Sequence, residues 1–514
     1  MRNDLLAAEP KLPKRQLLLA ALVGAALPLA YAPFGYGWIM PIMLAVLMLL
    51  QYGKTPRQAF KLGVVFGTPG FIGGLYWIYI STHVYTGAPA PLSIFLIFLL
   101  SLYLSLYGAI TGAVAAWFGN DGDSHPPVFG YWLVAYVVAW PLLELLRNFV
   151  LTGFPWFALG YTQTDSWLNG WAPITGVFGM AIPVLLLAAI PVAFRQGRLW
   201  TAAVPAIVLV ASGYGLQQYT WTQADGEPLK VGIVQGNIEQ DQKWVSTQRW
   251  PTVKLYRELT ERLIPDADLI IWPEVAIPGA YREFQLTLFG PLAAQLDEHD
   301  ADLLAGIMRW DDDTHQYANA VAQVKSTDPV FYDKQHLVPF AEYFPVPGFV
   351  RDWLRALELP FTDLYTGNEN RMPFQVGEHR VAMSICFEDV FGEEVALLAK
   401  DASLLANVSN DAWFGRSIAA AQHEQIARMR ALETQRWMVR ATPTGFSAFI
   451  NPQGSVVQRL PRGEVATSVA ELQPRTGLTP YMLVRNYWMA GLLVVLLLLL
   501  VAKKRRQRSR AFYT

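Results

Sequence analysis

The stretch SICFEDVFGEE, residues 384–394, contains the single cysteine of a chain of 514 residues. The apolar residues that precede Cys386 predict a buried strand, and a helix is predicted to begin near Phe391. One cysteine cannot form an internal disulfide, and it lacks the partners of a thiol-rich metal site. Cys386 is therefore either a small packed side chain or a nucleophile.

Two other predicted strand ends carry groups that would serve such a nucleophile. DLIIWPE (268–274) ends in Glu274, and FYDKQHLVPF (331–340) contains Lys334. Because sites in α/β sheets gather outside the carboxyl ends of strands, we expect these side chains to converge on Cys386. Glu274 would take the proton of the thiol and return it to a leaving group. Lys334 and the backbone N–H after the cysteine would stabilise an oxyanion, and the helix dipole would favour the thiolate.

Each of these residues also has a simpler interpretation. A lone cysteine on a buried strand usually packs as a small hydrophobe, Glu274 is compatible with a loop, and Lys334 with a solvated strand end. The three together, in this order and context, favour a catalytic site. We assign structural roles to His336 and His423, because the triad needs neither.

The composition indicates a membrane protein. Hydrophobic residues make up 53% of the chain and charged residues 16%, and the mean hydropathy is +0.25, which is too apolar for an ordinary soluble protein. A formal net charge of -1 and the lack of a basic face argue against nucleic acid as a partner.

Apolar runs between Leu17 and Gln218, with one more near the C-terminus, predict about eight transmembrane helices of roughly 20 residues each. The expected spans are 17–32, 38–52, 60–82, 92–118, 128–150, 172–194, 199–217 and 486–502. Prolines in the first two leave tilted or re-entrant segments open. No convincing signal-peptide cleavage site follows the first run, so we expect that helix to be retained.

Basic residues set the expected orientation. Lysines and arginines cluster at 11–15, 54–61, 195–198 and in KKRRQRSR (503–510), all on one side if the spans alternate. That side should be cytoplasmic, although NDGDSH (120–125) falls there without a lysine or arginine. Both termini would then be cytoplasmic.

The scheme divides the chain into three parts: a transmembrane bundle of about seven spans at 1–219, an α/β domain at 220–484 on the outer face, and a final span with a basic tail at 485–514. In the middle part, charge density rises and short apolar β-rich runs alternate with helical stretches, which is typical of an α/β domain.

The segments IIWPE, YDKQHLVPFAEYFP, SICFEDVFGEE and SNDAWFG resemble the nitrilase superfamily, whose members use a Glu, Lys, Cys triad on an α-β-β-α sandwich. Such a domain between a multi-span bundle and a terminal span resembles the apolipoprotein N-acyltransferase family of the bacterial inner membrane. GIVQGNIEQDQKW, TGFPW and FGTPGFIGGLYWIYIS extend the resemblance to nearly the whole chain.

The resemblance implies a ping-pong acyl transfer on the periplasmic face. Cys386 would take the sn-1 acyl chain of phosphatidylethanolamine as a thioester. The α-amino group of the N-terminal diacylglyceryl-cysteine of an apolipoprotein would then accept that chain. Glu274 would be the general base and Lys334 the oxyanion stabiliser. The reaction implies no metal or organic cofactor, and a monomer suffices.

The resemblance also assigns supporting residues. Glu342 matches a second carboxylate that would orient Lys334 or assist proton transfer; its simpler interpretation is an exposed loop acid. Phe387 stands where the best-known relatives carry tyrosine. The other positions that match the family near the pocket are Trp244, Glu388, Asn410 and Trp413. For the two tryptophans, packing is an equal alternative to acyl-chain contact.

Two further features are open. Glu144 and Arg147 lie three residues apart on a predicted span, so they can pair on one helix face, with a functional or a purely structural role. The aromatic-rich segment 342–361 is either a lid that dips into the bilayer or an ordinary covering helix.

Two rival functions remain. A membrane-tethered amidase or nitrilase-type hydrolase would use the same triad, but tethering would need only one span. A transporter or channel with an external binding domain would need charged or broken-helix features across several spans, and it leaves the triad without a purpose.

Overall fold

The computed structural model describes residues 11–120, 127–325, 328–343, 364–367 and 372–512, with side chains described to residue 506. The predicted lid at 342–361 lies outside the described residues except for its first two, and most of the loop 120–125 also lies outside them. The described residues form an apolar helical bundle and an α/β domain that pack against each other.

The bundle is built from predominantly apolar helices, the last of which ends in the basic run 503–510. They are Lys14–Ala25, Met40–Gln51, Pro56–Leu75, Ala90–Gly119, Phe129–Arg147, Ala172–Gly179, Ala181–Arg195, Leu199–Gln217 and Tyr487–Phe512. Local sequence sets where they begin. Thr55, for example, accepts a hydrogen bond from the Gln58 N–H in a capping box, and Pro56 follows at the first helical position.

Four described helices are long and apolar enough to cross a membrane: Ala90–Gly119, Phe129–Arg147, Leu199–Gln217 and Tyr487–Arg506. The predicted span 172–194 is wrong as one straight helix, because the chain bends by 90° before Ala181. The two helices on either side of the bend, Trp167–Gly179 and Ala181–Arg195, count together as at most a fifth span. The predicted span 38–52 corresponds to a helix of only 12 residues, Met40–Gln51.

The break in the sixth predicted span has a local cause. Gly176 has a φ of 61° inside the segment, a conformation that glycine adopts without strain. A Cβ atom at this position would lie 2.4 Å from the ring of Tyr481, which packs there from the far end of the chain. Apolar content alone predicted a continuous helix because it does not register this contact.

The α/β domain contains two sheets of six strands. The first has the spatial order Ala466–Leu472, Leu229–Gln235, Leu269–Ile271, Asp302–Asp311, Gln316–Val324 and Val330–Asp333. The second has the order Val456–Arg459, Ala448–Ile450, Met438–Ala441, Leu404–Val408, His379–Ile385 and Phe374–Val376. The central strands of each sheet are parallel.

The two sheets pack face to face between layers of helices. Ile233 and Leu304 of the first sheet share one hydrophobic core with three residues of the second sheet, Met383, Leu404 and Ala406. The helices are Gln240–Lys243, Arg249–Leu263, Tyr281–Phe284, Gly290–Glu298, Gly392–Leu398, Ala419–Thr434 and Pro480–Val484. This arrangement confirms the predicted α-β-β-α sandwich.

Helix Ala419–Thr434 joins the sandwich to the bundle. Gln422, a buried residue of this helix, accepts hydrogen bonds from the indole N–H groups of Trp77 (3.1 Å) and Trp156 (3.0 Å) and donates to the carbonyl of Gly74 (3.2 Å). The next helical turn repeats the pattern, because Gln425 donates to the carbonyl of Tyr161 at 3.0 Å. The bundle thus binds this helix through polar side chains as well as apolar packing.

We predict that Gln422→Met lowers the melting temperature of the purified protein by roughly 5 °C, because it leaves two buried indole donors without an acceptor, each costing about 1–3 kcal/mol. Gln196→Met, at an exposed position beyond helix Ala181–Arg195, is the control. Equal melting temperatures for the two variants would contradict the assigned role of Gln422.

Candidate active site

The three predicted catalytic residues lie at strand ends that meet between the two sheets. Glu274 follows Leu269–Ile271 and Lys334 follows Val330–Asp333 in the first sheet, and Cys386 follows His379–Ile385 in the second. The Nζ atom of Lys334 lies 3.5 Å from Oε1 of Glu274, and both side chains are buried. Their charges are the two that act most strongly on the Cys386 thiol.

Glu274 is positioned by a close backbone approach and by an amide. A Cβ atom on Gly306 would lie 2.1 Å from the carbonyl oxygen of Pro273, so glycine is required where the Glu274 turn crosses the neighbouring strand. Nδ2 of Asn319 donates to Oε1 of Glu274 at 2.6 Å. Asn319 was not predicted from the sequence, although it is one of two amides, with Gln323, in the otherwise apolar run NAVAQV (319–324).

Lys334 is held between two carboxylates. Its Nζ donates to Oε1 of Glu342 at 2.8 Å, and Oε2 of Glu342 accepts from the Val338 N–H at 2.8 Å. Burial alone would lower the pKa of Lys334, but Glu342 and Glu274 outweigh it and raise the pKa above its ordinary value. Lys334 is therefore a fixed cation, and Glu342 is placed to orient it.

Cys386 adopts the left-handed backbone conformation, with a φ of 51°. This conformation is strained for a residue other than glycine. A 3-10 turn, Cys386–Val390, follows the strand, and the next helix, Gly392–Leu398, has only seven residues. The helix predicted to begin near Phe391 is confirmed as Gly392–Leu398, and the sequence did not indicate the tight turn that separates it from Cys386.

The surroundings of Cys386 shift the pKa of its thiol. Although Cys386 keeps a partly open face, burial and then the Glu274 carboxylate raise its pKa well above the ordinary value, against the opposing effect of Lys334. The favourable effect of the following helix dipole on a thiolate stays a prediction. A neutral thiol needs a base at the moment of attack, and Glu274 is the adjacent carboxylate.

Glu388 ties the two sheets together at the site. Its Oε1 accepts from the backbone N–H groups of Gln335 (2.8 Å) and His336 (3.2 Å), just after the lysine. Its Oε2 accepts from the Ile385 N–H (2.8 Å) and the Tyr332 hydroxyl (2.8 Å). Glu388 thus fixes the Lys334 loop against the Cys386 strand.

His423 has a larger role than sequence reasoning assigned to it. Its Nε2 lies 3.0 Å from Oδ1 of Asp389 and 3.3 Å from the Cys386 carbonyl oxygen, and its Nδ1 lies 2.9 Å from Oδ1 of Asp411. Burial and Arg440 would lower the pKa of His423, but Asp389 and Asp411 raise it to about 9. A buried imidazolium therefore supports the strained turn.

An amide and an arginine complete this support. Nδ2 of Asn407 donates to the Cys386 carbonyl at 3.3 Å, and Oδ1 of Asn407 accepts from Arg440 at 2.6 Å. Arg440 also donates to Asp411 at 2.9 Å. These contacts form a closed ring of hydrogen bonds with His423 beneath the nucleophile. No spacing in the sequence indicated it, because its members come from separate elements.

The remaining predicted residues surround the site at different depths. Phe387 is buried and stacks on Phe154 of the TGFPW segment, with ring centroids 6.0 Å apart. Nδ2 of Asn410 donates to Gln240 at 3.0 Å. Trp413 packs edge-on against Tyr85 of the bundle, with centroids 6.0 Å apart.

Trp244 is 57% exposed and directly follows the short helix Gln240–Lys243. Its neighbour Lys243 was not predicted to lie in the site, yet Lys243 is buried and its Nζ donates to the carbonyl of Glu274 at 3.3 Å. Burial lowers the pKa of Lys243 to about 8, although Glu274 opposes the shift.

Among the described residues, no cluster of three or more His, Cys, Asp or Glu side chains is arranged to hold a metal ion.

This sandwich, with a glutamate, a lysine and a cysteine at adjoining strand ends, defines a carbon-nitrogen hydrolase domain, and the carbon-nitrogen hydrolase family model matches residues 230–481. The model of the apolipoprotein N-acyltransferase N-terminal domain matches residues 23–190. The chain belongs to the apolipoprotein N-acyltransferase family.

Full-length relatives carry the same family name. The chain is 36% identical to the apolipoprotein N-acyltransferase of Methylococcus capsulatus over 482 residues, covering 93% of this chain and 94% of the relative. It is 38% identical to that of Chromobacterium violaceum over 480 residues, covering 91% and 90%. A solved CN-hydrolase superfamily protein from Xanthomonas campestris aligns with 48% of this chain and 91% of its own, at 18% identity and a TM-score of 0.37.

We predict that Glu274→Gln shifts the pH midpoint of Cys386 alkylation by iodoacetamide to lower pH, because it removes a negative charge that raises the pKa of the thiol. The same variant should lose acyl transfer by a factor of about 10² to 10⁴, since the base is gone. The single cysteine makes alkylation specific. Glu298→Gln, at an exposed position, is the control; an unchanged midpoint in Glu274→Gln would contradict the assignment.

We predict a pH-dependent stability contribution from His423. Its folded pKa of about 9 lies above its ordinary value of 6.5, so the stabilisation is complete below pH 6.5 and is lost between 6.5 and 9. The free-energy difference between wild type and His423→Gln should fall by about 3 kcal/mol across that window. Chemical denaturation at several pH values measures it, with the exposed His299→Gln as control. A difference independent of pH would rule out the buried imidazolium.

Proposed function

We propose that this protein transfers an acyl chain from a membrane phospholipid, through a thioester on Cys386, to the α-amino group of the N-terminal diacylglyceryl-cysteine of apolipoproteins. The observation that carries the proposal is the position of the Glu274, Lys334 and Cys386 site against the bundle. Phe387, next to the nucleophile, stacks on Phe154 of the bundle loop. The reacting groups of both lipid substrates would lie at this junction.

In the first half-reaction, Glu274 takes the proton from Sγ of Cys386 as the sulfur attacks the acyl carbonyl carbon. Lys334 Nζ and the backbone N–H of Phe387 stabilise the oxyanion. The ester C–O bond then breaks, Glu274 returns the proton to the departing glycerol oxygen, and a lysophospholipid leaves. By resemblance to the family, the donor is phosphatidylethanolamine and the chain comes from its sn-1 position.

In the second half-reaction, the neutral α-amino group of the acceptor attacks the thioester carbonyl. A C–N bond forms and the C–S bond breaks, while the proton released by nitrogen passes through Glu274 to the departing Sγ. The neutral thiol is restored, which matches the raised pKa of Cys386. Exclusion of water from the site by the bundle would favour transfer of the acyl chain to the amine over hydrolysis of the thioester.

The supporting residues act on this machinery in distinct ways. Glu342 orients Lys334, and Glu388 fixes the lysine loop against the nucleophile strand. Phe387 and the tryptophans Trp244 and Trp413 provide apolar surface for acyl chains. Asn410 shapes the pocket through Gln240, whose side-chain oxygen Oε1 accepts its hydrogen bond.

The same proposal includes the membrane arrangement. We place residues 1–219 as a bundle of about seven spans, 220–484 as a catalytic domain on the periplasmic face of the bacterial inner membrane, and 485–514 as a final span and cytoplasmic tail. Four apolar helices support membrane embedding, and the basic clusters support the orientation. A monomer contains every residue that the reaction requires.

We predict that the purified protein, given phosphatidylethanolamine and a synthetic diacylated lipopeptide with a free amine, produces a triacylated peptide and one lysophospholipid per turnover. A matched lipopeptide with an acetylated amine should yield no acylated product, because the second nucleophile is blocked. Mass spectrometry of the lipid and peptide products measures both. Release of free fatty acid at equal rates with either peptide would instead favour the tethered hydrolase.

The orientation is tested by cysteine labelling in a Cys386→Ala background. Ser246→Cys lies on the exposed surface of the catalytic domain, and Arg198→Cys lies at the exposed start of helix Leu199–Gln217. A membrane-impermeant maleimide should label the cysteine at position 246 in intact spheroplasts and the cysteine at 198 only after lysis. The reverse pattern would overturn the proposed topology.

A further inference from the structure

His336 joins the catalytic domain to a loop of the bundle, residues 148–156, which we call the bundle loop. Its Nε2 atom lies 2.9 Å from the carbonyl oxygen of Thr152 in this loop. Its Nδ1 atom lies 3.0 Å from Oε1 of Glu394, in the helix that follows the nucleophile turn. One imidazole ring thus bridges the two parts of the protein.

The two partners of His336 determine which form of the ring can bind both. A carbonyl oxygen and an ionised carboxylate only accept hydrogen bonds, so both ring nitrogens must donate, and only the imidazolium carries a proton on each. Hydrogen bonds from a charged donor are stronger than those from a neutral one. Besides Glu394, the charged groups that line the cleft around the ring are Glu393 and Arg485.

The bundle loop is strained at the point where His336 binds it. Leu151, Thr152 and Gly153 have φ values of 54°, 69° and 90°. This region is unfavourable for residues other than glycine, above all for a β-branched residue such as threonine. Such a conformation persists only where the surroundings fix it. The hydrogen bond from His336 to the Thr152 carbonyl is a contact of this kind.

An aromatic ring aligns the same two parts. The imidazole of His336 stacks on Phe391, with ring centroids 3.5 Å apart and planes 18° apart. A Cβ atom on Gly153 would lie 2.8 Å from Cε1 of the same ring, so the backbone of the bundle loop lies directly on Phe391. A cleft of about 230 Å³, lined by residues of both the loop and the catalytic domain, opens beside these contacts. Discrete contacts therefore hold this end of the loop.

The bundle loop carries a ring that reaches the active site. Phe154 stacks on Phe387, the residue after the nucleophile, and the His336 ring lies edge-on to Phe387 with centroids 6.1 Å apart. Beyond Phe154, the indole N–H of Trp156 donates to Gln422 at 3.0 Å and fixes the far end of the loop. Phe154 thus lies between two anchored points, one of which is made by His336.

We propose that His336 is a positioning residue for the acylation of Cys386 by a phospholipid. Its two hydrogen bonds hold the bundle loop so that Phe154 packs on Phe387 and completes the apolar surface for the acyl chain. This inference rests on the proposed function, because it assigns Phe387 to that surface. A short ester has no long chain to align, so its reaction with Cys386 does not require the bridge.

The variant His336→Phe tests this role, because it keeps a ring that can stack on Phe391 and removes both hydrogen-bond donors. Acylation of Cys386 by phosphatidylethanolamine, followed by intact-protein mass spectrometry, should be at least tenfold slower than in wild type, since misplaced groups lose alignment with the substrate. Acylation by p-nitrophenyl acetate should stay within twofold of wild type. His299→Phe, at an exposed position, should match wild type with both esters. Equal slowing with both esters would show a merely structural role and overturn the proposal.

Hydrogen exchange gives a readout that does not depend on acyl transfer. The backbone amides of residues 149–154 should exchange at least tenfold faster in His336→Phe than in wild type, while those of helix Ala419–Thr434 stay unchanged. Exchange and acylation equal to wild type would overturn the proposal. Absence of any adduct on wild type with phosphatidylethanolamine would instead count against the proposed function, and the exchange result would still decide whether His336 holds the loop.

Gly153→Ala provides a second variant, which decides the question if His336→Phe does not fold. Its added Cβ atom displaces the bundle loop from Phe391 and leaves His336 in place. It should slow acylation by phosphatidylethanolamine at least tenfold and leave the reaction with p-nitrophenyl acetate within twofold of wild type. Equal rates with phosphatidylethanolamine in this variant and in wild type would contradict a role for the loop position.

Discussion

The structure depends on a buried helix, Ala419–Thr434, that is polar on nearly every side. Such a helix is stable only where each polar group finds a partner, as happens between packed domains. His423 reaches the nucleophile turn, while Gln422 and Gln425 reach the bundle. Because one rigid element contacts both, the cysteine is held at a fixed position relative to the bundle. The catalytic domain is in this sense built onto the bundle rather than tethered to it.

This helix also explains how the strained nucleophile is maintained. A cysteine in the left-handed region costs of order 1–3 kcal/mol, and it persists only where its surroundings over-determine it. The Cys386 carbonyl lies within hydrogen-bonding distance of both Asn407 and His423, and Arg440 links Asn407 to Asp411. Above this support, burial and the Glu274 carboxylate raise the pKa of the thiol, which is consistent with the proposed role of Glu274 as its base.

The three candidate catalytic residues could be predicted from the sequence because their signals are local. Glu274, Lys334 and Cys386 each end a short apolar run, so their convergence could be predicted from strand ends alone. His423 and Asn319 gave no such signal, since their partners lie far away in the chain. Helix spacing indicated that Glu144 and Arg147 can pair, but it could not show that the Glu144 carboxylate accepts from the Leu159 N–H at 2.9 Å.

Intact-protein mass spectrometry after incubation with phosphatidylethanolamine alone tests most directly whether Cys386 carries the acyl chain as a thioester. Without an acceptor, wild type should carry one acyl mass that hydroxylamine removes, and Cys386→Ala should carry none. Lys334→Met should form the adduct far more slowly, because the oxyanion loses its cation. An adduct that persists in Cys386→Ala, or no adduct on wild type under conditions of turnover, would contradict a thioester on this cysteine.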